Sequence, residues 1–548
     1  MAQYSIGIDF GTLSVRAVLA NTQGGHILGT SEFSYPHKIM HRLPDGTVLP
    51  DGSALAHPAD YIDGLRTTVR EVVKQSGVDP TDIVGIGLDC TSCSVIPLGK
   101  NGMPLCLTAE FENHADAYIK LWKHHTPSAQ AERLQAAAQT RNERFLEDCG
   151  NRINCESFFP KVLETFERDR EVYDQTYAFM EVGEWLALLL TGNSVASETM
   201  ATFKRFYHPF RGYPSAEYFE SVQEGFGSVV KEKLHGKMLS VGESCGKLHP
   251  RMAEILGLHT DVAVALPAVD AHAAVPACGG KSGDLICIMG TSGVSLMVSH
   301  NDTGMDGIYS AAGHSFLPDV YGHEGGQCSV GDTLAWFCNR MVPPDYIDRA
   351  LEAGQSVQQY LTRLAEELSA GQSGLLALDW NNGVRTPLMD YTLSSAWIGM
   401  TNRTKPEEIY RALLEGIAFG TRRIKEIYEN HGHTVLRIFC LGGVAQKNAL
   451  FCQILADVFG RSIEVCPLES ACALGSAVNG AIAADPLHAR EITEEMCCRD
   501  TLTYSPRFDA QEIYQALYKQ YIRLSDCMSG YESIMRQSTA WRGKHYEA

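Results

Sequence analysis

The 548-residue sequence has no run of eighteen apolar residues, and its start lacks a basic segment followed by a short apolar stretch. A cytoplasmic protein with no membrane association is the expectation. Positive charge is also in short supply: 46 Lys plus Arg stand against 65 Asp plus Glu, for a formal net charge of -19. A sequence-independent grip on nucleic acid phosphates or an anionic surface is not expected of such a chain. The P-loop pattern G-x-x-x-x-G-K-[ST] is missing, as is a G-x-G-x-x-G fingerprint after the opening strand, so a nucleotide site has to be built another way. No zinc motif supports a hydrolase. The 17 cysteines are odd in number and scattered through apolar runs, at Cys440, Cys452 and Cys472 for instance, which points to reduced, buried thiols.

What is present is enough chain for two large domains, at roughly 100 to 200 residues each, with three as the outer possibility. YSIGIDF, GTLS and VRAVLANTQGGHIL, over residues 4 to 28, read as a β-hairpin with an unusual polar tip. An amphipathic helix over 60–76 and a strand over 82–90 ending in TSCS follow, giving an α/β layer. Helices are predicted at 113–124, 128–140, 157–169 and 179–190. GDLICIMGTSGVSLMVSH, at 283–300, then repeats the opening pattern of strand, Gly-Thr turn and strand. This is an internal repeat in which each half presents a Gly-Thr tip to a shared cleft. The expected domains are 1–265, 266–485 and a helical extension at 486–548. A strand over 375–380, a long helix over 406–430, a strand over 435–443 and a small-residue helix over 471–484 complete an α/β unit whose loops gather at one sheet edge.

Several residues carry chemistry, each beside a blander use. Asp9 is a carboxylate in an apolar strand, suited either to a turn or cap or to Mg²⁺ through water. Gly11 and Gly290 let backbone approach phosphate oxygens, and Thr12, Ser14, Thr291 and Ser292 add hydroxyls; a plain tight turn explains either copy alone, and the repetition favours phosphate. Asp270, between the halves, is either an Asx-turn residue or a general base for phosphoryl transfer. Glu324, beside two glycines, caps a helix or accepts hydrogen bonds from hydroxyls. Gly442-Gly443 and Asn448 make an ordinary strand-to-helix turn or a bare surface for a purine. Trp122 and Lys204 are packing or surface residues by the same local reading. Cys90-Thr91-Ser92-Cys93 has no second pair, and His114, His124 and His125 lack an obvious partner, so neither reads as a metal or redox site.

In combination these motifs resemble the FGGY carbohydrate kinases. The likeness runs through IGIDFGTLSVRA (6–17), GIGLDCTSCS (85–94), LWKHH (121–125), PAVDAH (267–272), MGTSGVSL (289–296), EGGQCSVGD (324–332), LDWNNGVRTP (378–387), LGGVAQKN (441–448) and CALGSAV (472–478). LWKHH and LDWNNGVRTP resemble the L-ribulokinase branch in particular. The resemblance implies a two-domain α/β fold, actin-like and hsp70-like, with ribonuclease-H-like domains around a central cleft that holds ATP, Mg²⁺ and sugar. It also implies a homodimer or other homo-oligomer. Asp270 would be the base for the C5 hydroxyl of L-ribulose. Cys93, Trp122, Lys204 and Glu324 would lie at the sugar; Gly11, Thr12, Ser14, Gly290 and Thr291 at phosphate; Gly442, Gly443 and Asn448 at the nucleotide; and Asp9 at the metal, through water. GTLS, VDAH and GTSGVS depart from the family's GT(D/S)S, its Cys after the catalytic Asp and its GTSTC, while keeping the glycines and hydroxyls. Alternatives are a kinase for D-ribulose, xylulose or ribitol and, from another class, a non-catalytic actin-like nucleotide sensor.

Overall fold

The computed structural model describes residues 3–310, 315–318 and 320–538. In the first half, β1 (Tyr4–Phe10), β2 (Ser14–Asn21) and β3 (Ile27–Ser34) form an antiparallel meander, and helix α1 (Pro58–Ser76) leads to β4 (Ile83–Cys90), parallel to β1. Strands β5 (Ser244–Lys247), β6 (Ala263–Ala265) and β7 (Ala268–Val269) complete the sheet, in the order β5-β6-β4-β1-β2-β3 with β7 also on β4. Helix α2 (Asp270–Ala277) crosses to a second sheet of β8 (Asp284–Met289), β9 (Gly293–Ser299), β10 (Tyr309–Ser310), β11 (Tyr321–Gln327), β12 (Arg437–Leu441), β13 (Ile463–Val465) and β14 (Leu502–Tyr504). Its order is β10-β11-β9-β8-β12-β13-β14.

The two sheets repeat each other beyond the hairpins. In each, three antiparallel strands are followed by two parallel ones: β3-β2-β1-β4-β6 matches β11-β9-β8-β12-β13. In the first hairpin Phe10 pairs with Val15, and in the second Met289 pairs with Gly293, so the second tip is one residue shorter.

Helices α3 (Pro406–Asn430) and α4 (Ala449–Phe459) cover the second sheet and α6 (Phe508–Ser529) packs outside them, whereas α5 (Ala471–Ala484) belongs to the second half by chain and packs on the first sheet through bare backbone. A Cβ added at Gly7 would lie 1.7 Å from the Ala473 carbonyl oxygen, and one at Gly87 1.8 Å from that of Ser476. Helix and sheet therefore approach as closely as main chains can. The segment after residue 485 contributes more than helix, since β14 pairs with β13 and extends the second sheet.

Three expected elements differ. Residues 113–124 hold one 3₁₀ turn, Ala115–Ala117, and the short strand Ile119–Lys120, which pairs with Leu55–Ala56. Strand pairing and a buried ion pair from Lys120 to Asp116 and Glu164 override the helical periodicity there. The stretch 179–190 splits into the strand Ala178–Glu181 and the helix Val182–Thr191, and the expected 375–380 strand shrinks to Leu376–Ala377.

Candidate active site

Parallel pairing brings the first sheet's acidic residues to one edge. Asp9 on β1 lies opposite Asp89 on β4, Val269 on β7 lies opposite Cys90, and Asp270 follows as the first residue of α2. This is the carboxyl edge of the strands, where open α/β sheets bind ligands. Here a cavity of about 290 Å³ opens between the halves, lined by Asp9, Gly11, Thr12, Arg16, Thr91, Ser92, Trp122, Lys204, Asp270, Gly290, Thr291, Ser292, Glu324 and Arg385. A second, of about 800 Å³, shares Asp9, Arg16, Ile288 and Cys472 with it and is walled by Gly442, Gly443, Gln446, Lys447, Leu468 and Ser470. One carboxylate, Asp9, thus faces both compartments.

The polar contacts are specific. The Trp122 indole donates to Thr12 Oγ1 at 3.1 Å. Lys204, at the end of the helix Glu198–Lys204, pairs with buried Glu156 at 3.1 Å, and Arg385 stands 3.8 Å from the other Glu156 oxygen. His272 Nε2 and Glu324 Oε2 are 2.8 Å apart. Burial drives the Asp270 carboxyl up to about 7, with the negative charge of Asp9 adding to it and the Ala271 N–H, 2.7 Å away, opposing. Burial likewise raises Asp89 well above the carboxylate range, Asp9 raises it further, and Ser476 donates to it at 2.6 Å. Burial pushes Glu156 and Glu324 up too, but cations outweigh it. Lys204 and Arg385 hold Glu156 at about 2, and the hydrogen bond and charge of His272, with Lys204 and Arg385, keep Glu324 below its ordinary value.

Three expected residues stand outside these walls. Cys93 is fully buried with its backbone at φ 56°, its N–H donating to Glu181 and its side chain in an apolar cluster. Ser14 Oγ donates to Glu32 while its carbonyl takes the Gly11 N–H. Asn448 caps α4 by accepting from the Phe451 N–H and donates to Tyr410. Cys90 is buried, and His124 belongs to the buried network around Glu164. Glu156, Arg385, Asp89 and the pairing of His272 with Glu324 were not foreseen. Arg385 lies inside LDWNNGVRTP, a legible signal; Glu156 sits in no motif.

The family profile for the N-terminal domain of the FGGY carbohydrate kinases matches residues 4–276, and that for the C-terminal domain matches 285–484. The chain belongs to the FGGY family of carbohydrate kinases. It is an ATP-dependent carbohydrate kinase. It is 38% identical to a ribulokinase of Halalkalibacterium halodurans over 98% of this chain and 97% of that one, and 37% identical to one of Anoxybacillus flavithermus over the same shares. Among solved structures, a xylulose kinase from Rhodospirillum rubrum superimposes with a TM-score of 0.79 at 22% identity, covering 95% of this kinase and 98% of that chain. A gluconate kinase from Lactobacillus acidophilus gives 0.79 at 19% identity, over 97% and 99%. These likenesses establish the two-domain actin-like and hsp70-like fold of this kinase, with its cleft.

Proposed function

We propose that this kinase transfers the γ-phosphoryl group of ATP to the C5 hydroxyl of L-ribulose, giving L-ribulose 5-phosphate and ADP. The reaction class is ATP-dependent phosphorylation of a pentose or pentitol. Full-length similarity to proteins named ribulokinase supports the sugar. The observation that carries the chemistry is Asp270, a cleft carboxylate held near 7, where it is ionised enough to accept a hydroxyl proton and basic enough to keep it through the transfer. The hydroxyl oxygen then attacks phosphorus as the bond to ADP breaks. Lys204, Trp122 and Glu324 orient the sugar, Glu324 by accepting from hydroxyls on the face away from His272.

The nucleotide takes the larger compartment along Gly442-Gly443, its phosphates reaching the two Gly-Thr tips. The Gly11 and Gly290 N–H groups are engaged by the carbonyls of Ser14 and Ser292, so the hydroxyls of Thr12, Thr291 and Ser292 are the donors there. Mg²⁺ fits beside Asp9, which faces both compartments, with Asp89 behind it carrying a buried oxygen that has no partner among the described residues. Mg²⁺ would be held by Asp9 through water and would neutralise phosphate charge. All 17 cysteines are free thiols, in keeping with a reducing, cytoplasmic setting.

Coupled ADP release across L-ribulose, D-ribulose, L-xylulose, D-xylulose, ribitol and glycerol, with the phosphorylated carbon assigned by NMR, tests the reading. L-ribulose is expected to lead by more than about tenfold in kcat/KM with phosphate on C5. Asp270→Asn is expected to lose about a thousandfold or more in sugar-dependent turnover while still binding ATP. A different preferred sugar or carbon overturns the substrate, and an unimpaired Asp270→Asn overturns the base.

A further inference from the structure

We propose that Arg385 is a specificity-determining residue that donates to the carbonyl end of the sugar, remote from Asp270, and so favours ketoses over pentitols. The assignment rests on the pentose-kinase reading above and adds which group recognises the oxidation state of the substrate.

The backbone around Arg385 is clamped to the strand that carries Glu324. Thr386 N–H donates to the Gly326 carbonyl at 3.0 Å, Gly326 N–H donates to Thr386 Oγ1 at 3.0 Å, and that hydroxyl donates to the Gly307 carbonyl at 2.8 Å. On the other side Val384 and Asp390 exchange backbone hydrogen bonds of 2.9 and 2.8 Å. The side chain then runs across the bare Cα of Gly326: a Cβ there would lie 3.0 Å from Arg385 Cδ and 3.1 Å from Nη1. Strand β11 thus presents Glu324 into the cavity and, two residues on, makes room for a cation beside it.

The guanidinium reaches the cavity unsatisfied. Its side chain is only 11% exposed, yet it makes no hydrogen bond to any described residue, and its nearest carboxylate oxygen, on Glu156, is 3.8 Å away. That glutamate is already engaged by Lys204 at 3.1 Å. Guanidinium N–H groups can only donate, and those without a partner open on the cavity, where an acceptor brought by the ligand can meet them. His272, two residues beyond Asp270, contacts Glu324 at 2.8 Å, while Arg385 lies over Gly326, two residues beyond Glu324, and beside Glu156, the partner of Lys204, so Glu324 and Lys204 stand between Asp270 and Arg385 in the cavity that all four line. With C5 at Asp270, the groups left for that end are the C2 carbonyl and the C1 hydroxyl of a ketopentose. A ketose carbonyl only accepts, and with the neighbouring hydroxyl oxygen it matches the planar fork. A pentitol offers a hydroxyl there, whose own proton has to turn away from the cation.

The test uses the full-length protein and compares kcat and KM for L-ribulose and ribitol in wild type, Arg385→Gln and Arg385→Lys. Arg385→Gln is expected to lose about tenfold to a hundredfold in kcat/KM for L-ribulose, mostly through KM, and less than about threefold for ribitol. Arg385→Lys, keeping the charge without the fork, is expected to fall between. Equal losses on both sugars, the pattern of a residue that merely supports Glu156, overturn the assignment, as does an unmoved ratio. If Arg385→Gln does not fold by thermal melting, the same ratio in Arg385→Lys decides. A wild type inactive on both sugars brings down the pentose-kinase reading and this inference with it; activity on L-ribulose with an unmoved ratio brings down this inference alone.

Discussion

Asp270 couples catalysis and stability through one proton. Below about pH 7 the carboxyl is protonated and cannot act as base, so kcat/KM for the sugar is expected to fall about tenfold per pH unit on the acid side of that midpoint. A flat kcat/KM between pH 5.5 and 8 would show that another group sets the rate. The stability consequence has the opposite sense from that of an ordinary salt-bridged carboxylate. Its native value lies above its unfolded value near 4, so between the two the folded protein binds more protons, and stability declines as pH rises through that window. Asp270→Asn is therefore expected to melt at the same temperature as wild type near pH 4 and about 1–3 °C higher above pH 7. Differential scanning calorimetry at both ends checks this. From its position alone Asp270 reads equally as a turn residue or a base, and it is the resemblance to the FGGY kinases that points to the base. Glu156 was not legible, because its role comes from Lys204 and Arg385, respectively 48 and 229 residues away, arriving at one point in the fold. Cys93 shows the converse, since a polar TSCS run says nothing about which way its one left-handed residue turns.

At the scale of elements, α5 shows what a periodicity can and cannot say. Its Ala and Gly content marks the range Ala471–Ala484 in the sequence, and the structure gives the same ends. The partner surface was not legible, because the complementary glycines, Gly7, Gly85 and Gly87, lie 389 to 466 residues before the residues they meet, where each reads only as a small residue in a strand. Those glycines place the helix, and with it Cys472, against the strands that carry Asp9 and Asp89. Gly87→Val would drive a branched side chain into the Ser476 carbonyl, and neither backbone can retreat without separating helix from sheet. A loss of about 3 kcal/mol or more is expected, seen as a large drop in melting temperature or as insoluble protein. Gly443→Ala is the matched control: a Cβ there meets nothing within 4 Å, and little change in melting is expected. A Gly87→Val protein that melts like wild type would mean that the seam is looser than its geometry implies.

For the whole molecule, chain order and spatial order disagree, and this decides what can fold alone. The repeat of five strands in each sheet suggests two autonomous halves, and a cut near residue 265 follows from sequence. Yet the helix that covers the glycine face of the first sheet comes from residues 471–484, and α2, which packs against it, begins at Asp270 after that cut. The core shared by Val18, Ala20, Val275, Leu474, Ala477 and Val478 likewise draws on both halves. A fragment of residues 1–265 keeps every strand of the first sheet but β7 and leaves the face of Gly7, Val18, Ala20, Gly85 and Gly87 uncovered. The lost burial, at about 25 cal/mol per Å² of apolar surface, is large beside the few kcal/mol by which a domain is stable. The fragment is expected to show no cooperative thermal transition and to aggregate, whereas co-expression with residues 266–548 is expected to recover soluble, sugar-responsive protein. A cooperative melt and a dispersed amide spectrum from the 1–265 fragment alone would show that the first sheet does not need the helix borrowed from the second half.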